Sequence, residues 1–128
     1  MNIQNIMICS KGGHSGTMSF PEVVKLLISS GVERYTADLI EKKVTYYGNQ
    51  DEVYTDEIPL LLPRSASQFD QEAIVTALRE IQQNKINYQA FLKQIVMAGC
   101  CHYEVYLSGR KVIYFGRNGD NYVEKFPE

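Results

Sequence analysis

The chain has no tryptophan, three cysteines, four prolines and no long apolar run, and each scarcity closes off a class of protein. Three is an odd number of cysteines, and two of them are adjacent at Cys100-Cys101, which is no basis for a disulfide framework. A reducing, cytoplasmic setting is therefore expected. No segment approaches the ~20 consecutive apolar residues that a membrane-spanning helix needs. The most apolar run, at 58–62, is short and bracketed by Pro59 and Pro63. The start, Met1-Asn2-Ile3-Gln4-Asn5, carries no basic region, so no secretory signal is expected. A net charge of −2 lacks the surplus of Lys and Arg that sequence-independent nucleic-acid binding relies on.

What is present is an ordinary globular composition, 45% hydrophobic, in 128 residues. That is enough for a single domain, 1–128. Ile3, Ile6 and Met7 at helical spacing, with Asn2 as a cap, predict a short helix over 2–10, and the glycine-rich stretch 11–17 reads as a loop. Ser19 with Glu22 three residues on forms a capping box that opens a second helix. Its stripe is Phe20, Val23, Val24, Leu27 and Ile28, and Gly31 is a left-handed stop. The period then changes to two: Tyr35, Ala37 and Leu39 share one strand face, and Val44 and Tyr46 share a face of the next strand. A short third strand follows near 52–55. Residues 60–68 connect to a helix over 70–83, and its Leu60-Leu61-Leu62 run is expected to cover core. Asn87 caps a fourth helix ending at Gly99. Strands at 101–107 and 110–116 form a hairpin, and Asn118-Gly119 predicts a type I′ turn into a strand at 122–125.

The second half repeats the first without a gap. Phe20 meets Tyr88 and Pro59 meets Pro127 at one constant offset (88 − 20 = 68). On that register Gly31, Tyr35, Tyr46, Tyr54 and Lys43 meet Gly99, Tyr103, Tyr114, Tyr122 and Lys111. An internal duplication of a helix–helix–meander unit follows, with pseudo-repeats at about 1–59 and 69–127. Joining two such units edge to edge gives an α+β fold: one antiparallel sheet with the helices packed on one face.

Several stretches carry a family resemblance: Phe20-Pro21-Glu22-Val23-Val24, Gly31-Val32-Glu33-Arg34-Tyr35, Val44-Thr45-Tyr46-Tyr47 and Tyr122-Val123-Glu124-Lys125-Phe126-Pro127. Over residues 19–127 the chain resembles a small bacterial family of unknown function, domain-of-unknown-function family 1398, whose members are often labelled phage envelope protein. The resemblance implies an α+β fold and a bacterial or prophage-related source. It brings no activity, cofactor or catalytic residues.

Cys100-Cys101-His102, with Cys9 and His14 elsewhere, offers zinc-type ligands but not the spacing that lets two sulfurs reach one ion. Strand neighbours are expected to point to opposite faces, so Cys101-His102 is not a ready nucleophilic dyad. The 11–17 stretch lacks the Gly-Lys-Ser/Thr ending of a phosphate loop. Neither Asp38 with Glu41 nor Glu104 with Glu124 forms a convincing acid–base pair. No catalytic residue, metal ligand or cofactor is assigned. The remaining signal is tyrosine. Tyr35, Tyr46, Tyr103 and Tyr114, with Arg34 and His102, are the candidate ligand- or partner-binding residues. The expected role is a non-catalytic interaction or regulatory module that binds a protein partner or itself. The alternative is a small-ligand-binding protein or enzyme with its site in the cleft between the repeats.

Overall fold

The computed structural model describes residues 1–127. Each helix starts where a polar side chain can accept a free backbone N–H. Asn2 Oδ1 accepts from Asn5 to open α1 (Ile3–Ser15). Ser19 and Glu22 exchange both bonds of the capping box at α2 (Phe20–Ser29), at 3.3 and 3.0 Å. Asp70 caps α3 (Gln71–Gln82) and Asn87 caps α4 (Tyr88–Met97). Gly31 and Gly99, just past α2 and α4, have φ of +86° and +95°, the left-handed geometry that turns the chain out of the helix.

The strands are β1 (Val32–Asp38), β2 (Lys43–Gly48), β3 (Val53–Glu57), β4 (Cys100–Tyr106), β5 (Lys111–Gly116) and β6 (Asn121–Lys125). They form one antiparallel sheet in the order β3-β2-β1-β4-β5-β6. Two meanders thus meet at a central β1–β4 seam, and the α+β class expected from the sequence is the fold observed. Side chains alternate across the sheet. Tyr35, Ala37, Val44, Tyr46, Tyr103, Val105, Val112 and Tyr114 join the core with Ile6, Leu27, Ile74, Leu92 and Ile95 of the helices. Arg34, Thr36, Asp38, His102, Glu104 and Tyr106 point the other way, onto a face that no helix covers.

The offset of the sequence pattern reappears in the hydrogen bonding. Tyr35↔Tyr46 and Tyr46↔Tyr54 recur as Tyr103↔Tyr114 and Tyr114↔Tyr122. The bulge between Val32 and Arg34 recurs between Cys100 and His102. At the seam Thr36 lies opposite Glu104, its own counterpart in the other half, so a local twofold axis passes between them.

Three local expectations need correction. The 11–17 stretch is not a loop: α1 runs through Gly12 and Gly13 to Ser15 and ends on Gly16, φ +76°. A Cβ at Gly12 would sit 2.5 Å from Met18 Sδ, so the glycine lets the Met18 side chain pack directly on the helix. The 118–119 turn is not type I′, which requires positive φ at both central residues; only Gly119 has it, at +85°. Leu60 and Leu62 pack against the core, but Leu61 is 86% exposed. Cys100 joins the core, whereas Cys101, the bulged residue, sets its thiol beside the His102 ring.

Candidate functional site

The six sequence-derived candidates separate by sheet face. Tyr35, Tyr46, Tyr103 and Tyr114 are buried between sheet and helices, where they pair directly across strands with ring centroids 5.4 Å apart for Tyr35–Tyr46 and 5.5 Å for Tyr103–Tyr114. Arg34 and His102 lie on the opposite, uncovered face. The structure therefore brings the tyrosines together but does not bring them to Arg34 or His102, and the four rings fill the junction of the halves.

The tyrosine cluster is polar but closed. The Tyr88 and Tyr103 hydroxyls, brought together by α4 and β4, are 2.6 Å apart. Burial pushes the Tyr88 phenol up to about 12 and those of Tyr35, Tyr103 and Tyr114 well above their ordinary value. Neutral phenols follow at physiological pH. The thiols behave alike: burial raises Cys9 and Cys101, and carries Cys100 up to about 12. A raised thiol is a poor nucleophile at neutral pH. Although Cys101 Sγ lies 3.5 Å from His102 Nδ1, the His102 ring is stacked on Phe115 at 4.5 Å between centroids. Among the described residues no three His, Cys, Asp or Glu side chains form a group that could hold a metal ion.

The uncovered face is built from alternate residues of all six strands. Its aromatic and aliphatic members include Tyr47, Tyr106, Ile113 and Phe115, flanked by Val53 and Val123 on the edge strands. Charges are set against the rings: the Arg34 guanidinium lies 3.7 Å from the Tyr47 centroid, a cation–π contact, and the Lys111 ammonium lies 5.9 Å from that of Tyr106. Glu104 accepts a hydrogen bond from the Tyr106 hydroxyl.

A second place was not visible as a motif. Between α1 and the edge strand β3 lies a groove of about 430 Å³, lined by Met7, Ser10, Lys11, His14, Asp56 and Glu57 among others. Ser10 and His14 share a face of α1 because they are four residues apart. Ser10 Oγ and His14 Nδ1 are 3.5 Å apart. The His14 ring is 8% exposed and tilts against Tyr88. Burial lowers its pKa, opposed by the charge of Asp56, so the imidazole is neutral at pH 7. The signal that points here is positional: at the repeat offset Lys11 and Asp56 occupy the places of Arg79 and Glu124, which are ion-paired.

Comparison with known proteins adds relatives but no activity. An uncharacterized protein of Mycobacterium tuberculosis and one of Mycobacterium bovis are each 30% identical to this chain over 108 residues, covering 84% of it. The chain spans 66% of the length of those mycobacterial relatives, just under two thirds. A family model described as "Protein of unknown function (DUF1398)" matches residues 64–125, which include α3, α4 and the second meander. Over that region the chain matches the DUF1398 family of unknown function, the family its sequence resembles.

Proposed function

We propose that this protein is a non-catalytic interaction module of bacterial or prophage origin, acting in the cytoplasm, which pairs with a second copy of itself through the uncovered face of its sheet. One observation carries the reading. A six-stranded sheet presents the half-buried Tyr47, Tyr106, Ile113 and Phe115, interleaved with charged side chains, on a face with no helix over it, and aromatic residues within a polar surround suit a protein interface.

Size and charge support a second copy as occupant. Six strands about 4.8 Å apart, paired over about five residues of 3.4 Å each, make a face of roughly 500 Å². Two such faces reach the roughly 1,000 Å² that a specific interface needs. Arg34 lies at one end of the face and Asp38 four residues along the same strand at the other. A twofold axis in the interface, perpendicular to the strands, lays Arg34 of one copy over Asp38 of the other, and Lys111 over Phe115. A twofold axis parallel to the strands would instead keep Arg34 and Lys111 of the two copies at the same end of the face, which repulsion disfavours. Glu104 opposes the pairing, since it lies near that axis in both copies.

The test is light scattering across concentration. A dimer is expected for the parent, with monomers for Arg34→Asp and Asp38→Arg and a restored dimer for the double swap. Glu104→Gln should tighten it. A parent that stays monomeric to millimolar concentration overturns self-pairing. The register of the two halves also supports descent from one duplicated unit. On that reading the ancestral unit closed its sheet by pairing with itself.

A further inference from the structure

The two halves treat one location differently. In the second half the space between α3 and β6 is occupied by the chain's own cation. Arg79 Nη1 and Nη2 donate to the Glu124 carboxylate at 2.7 and 3.3 Å, and Gln82 Nε2 donates to it at 3.3 Å. The Tyr122 hydroxyl adds a fourth bond at 2.6 Å. At the same register in the first half stand Lys11 for Arg79, Asp56 for Glu124, His14 for Gln82 and Ser10 for Leu78. The plug is missing there. Among the described residues Lys11 and Asp56 form no ion pair, and the Asp56 side chain accepts only the N–H of Glu57, at 2.9 Å.

His14 also faces this space. It is only 8% exposed, and its ring bonds through Nδ1 to Ser10. Every fully enclosed side-chain nitrogen and oxygen among the described residues has a partner. Nε2, with none, therefore reaches solvent through the groove that the ring lines. The groove sets two carboxylates, Asp56 and Glu57, against one ammonium, Lys11. Its mouth is apolar, with Met7 52% and Ile8 55% exposed.

We propose that the α1–β3 groove binds a guanidinium group on an apolar stem, which takes the place that Arg79 fills in the other half. The guanidinium donates to Asp56 as Arg79 does to Glu124. A fork of N–H groups suits a carboxylate better than an ammonium does, which is why Lys11 does not substitute for it. The stem lies on Met7, Ile8 and Pro59. Two sources share this chemistry, a free alkylguanidine and an arginine side chain of a peptide.

The test is a nuclear magnetic resonance titration of the full chain with n-butylguanidinium, following backbone amides and the Met7 methyl group. Saturable shifts are expected at Ser10, His14 and Asp56, and not at Arg79 or Glu124. Valerate, the carboxylate of similar length, should produce none. Asp56→Asn should weaken binding about tenfold or more, the scale of a lost charge-assisted pair. The triple variant Ser10→Leu, Lys11→Arg, His14→Gln copies the plug of the second half and should abolish binding while preserving the spectrum elsewhere. A blocked Ala-Arg-Ala peptide separates the sources: tighter binding than butylguanidinium assigns the site to a peptide arginine, and weaker binding to a free guanidine. The proposal is overturned if valerate shifts the same residues, or if both the Asp56 variant and the triple variant bind as the parent does.

Discussion

Gly31 and Gly99 stand at one register position, yet they do not carry equal weight. Both have positive φ, where a Cβ is disfavoured. A Cβ at Gly31 would meet only Met1, at 3.7 Å, whereas one at Gly99 would lie 2.1 Å from the Gln68 carbonyl oxygen. Gly31→Ala should therefore cost about 1 kcal/mol, the backbone strain alone. Gly99→Ala adds a collision with main chain and should cost roughly 3 kcal/mol. Urea denaturation of the two variants checks the ordering. The hydroxyl pair of Tyr88 and Tyr103 permits a second residue-scale prediction. Tyr88→Phe leaves the enclosed Tyr103 hydroxyl without this partner and should destabilise by about 1–3 kcal/mol. Tyr47→Phe, on the uncovered face, should change little, and the same denaturation series compares them. The glycine stops were legible in the sequence because a helix pattern ending on glycine has a local cause. The Gln68 carbonyl was not, since its approach depends on how the connector crosses the end of α4.

At the scale of elements, capping decided what could be read in advance. The starts of α1, α2 and α4 were visible as Asn2, Ser19 and Asn87, because a capping side chain acts within three residues. The end of α1 was hidden by Gly12 and Gly13, which resemble a loop until Met18 is seen packed on Gly12. The strands were legible from alternation, and the short turns between them set their order within each half. The bulge at Cys100–His102 was not, and it is what turns His102 away from the core that Cys100 enters. The candidate tyrosines lie together in the structure, but sequence alone grouped Arg34 and His102 with them. Those two follow the bulge, so a count of two along the strand from Val32 or Cys100 assigns them to the wrong side. The α1–β3 groove needed the structure, because only the ion pair of Arg79 with Glu124 makes the empty counterpart noticeable.

For the molecule as a whole, the buried phenols set an alkaline limit to stability. Tyr35, Tyr88, Tyr103 and Tyr114 have folded pKa values raised above the ordinary 10 by burial. A raised value means the native state holds its protons where the unfolded chain releases them, so this stability is complete below pH 10 and is lost as pH rises beyond it. His14 acts at the other end. Its folded value is lowered, so its contribution is present above about 6.5 and declines as the solution becomes more acid. Thermal melts between pH 5 and 12 should show a plateau from about 7 to 10, with the steeper fall on the alkaline side because several phenols act together. Replacing Tyr114 by Phe should shift that fall to higher pH. An unchanged melting temperature up to pH 12 would count against a closed cluster.

The seam between β1 and β4 has a further consequence. Because Thr36 lies opposite its own counterpart Glu104, the bonding pattern that β1 offers to β4 is one that a β1 from another molecule can also satisfy. Only the connector, residues 58–70, favours the internal neighbour over a foreign one, by keeping it at high local concentration. Shortening that connector until it no longer spans the sheet would release the halves to recombine between chains. The product would be a strand-exchanged dimer, with each half intact and the same sheet closed from two molecules instead of one.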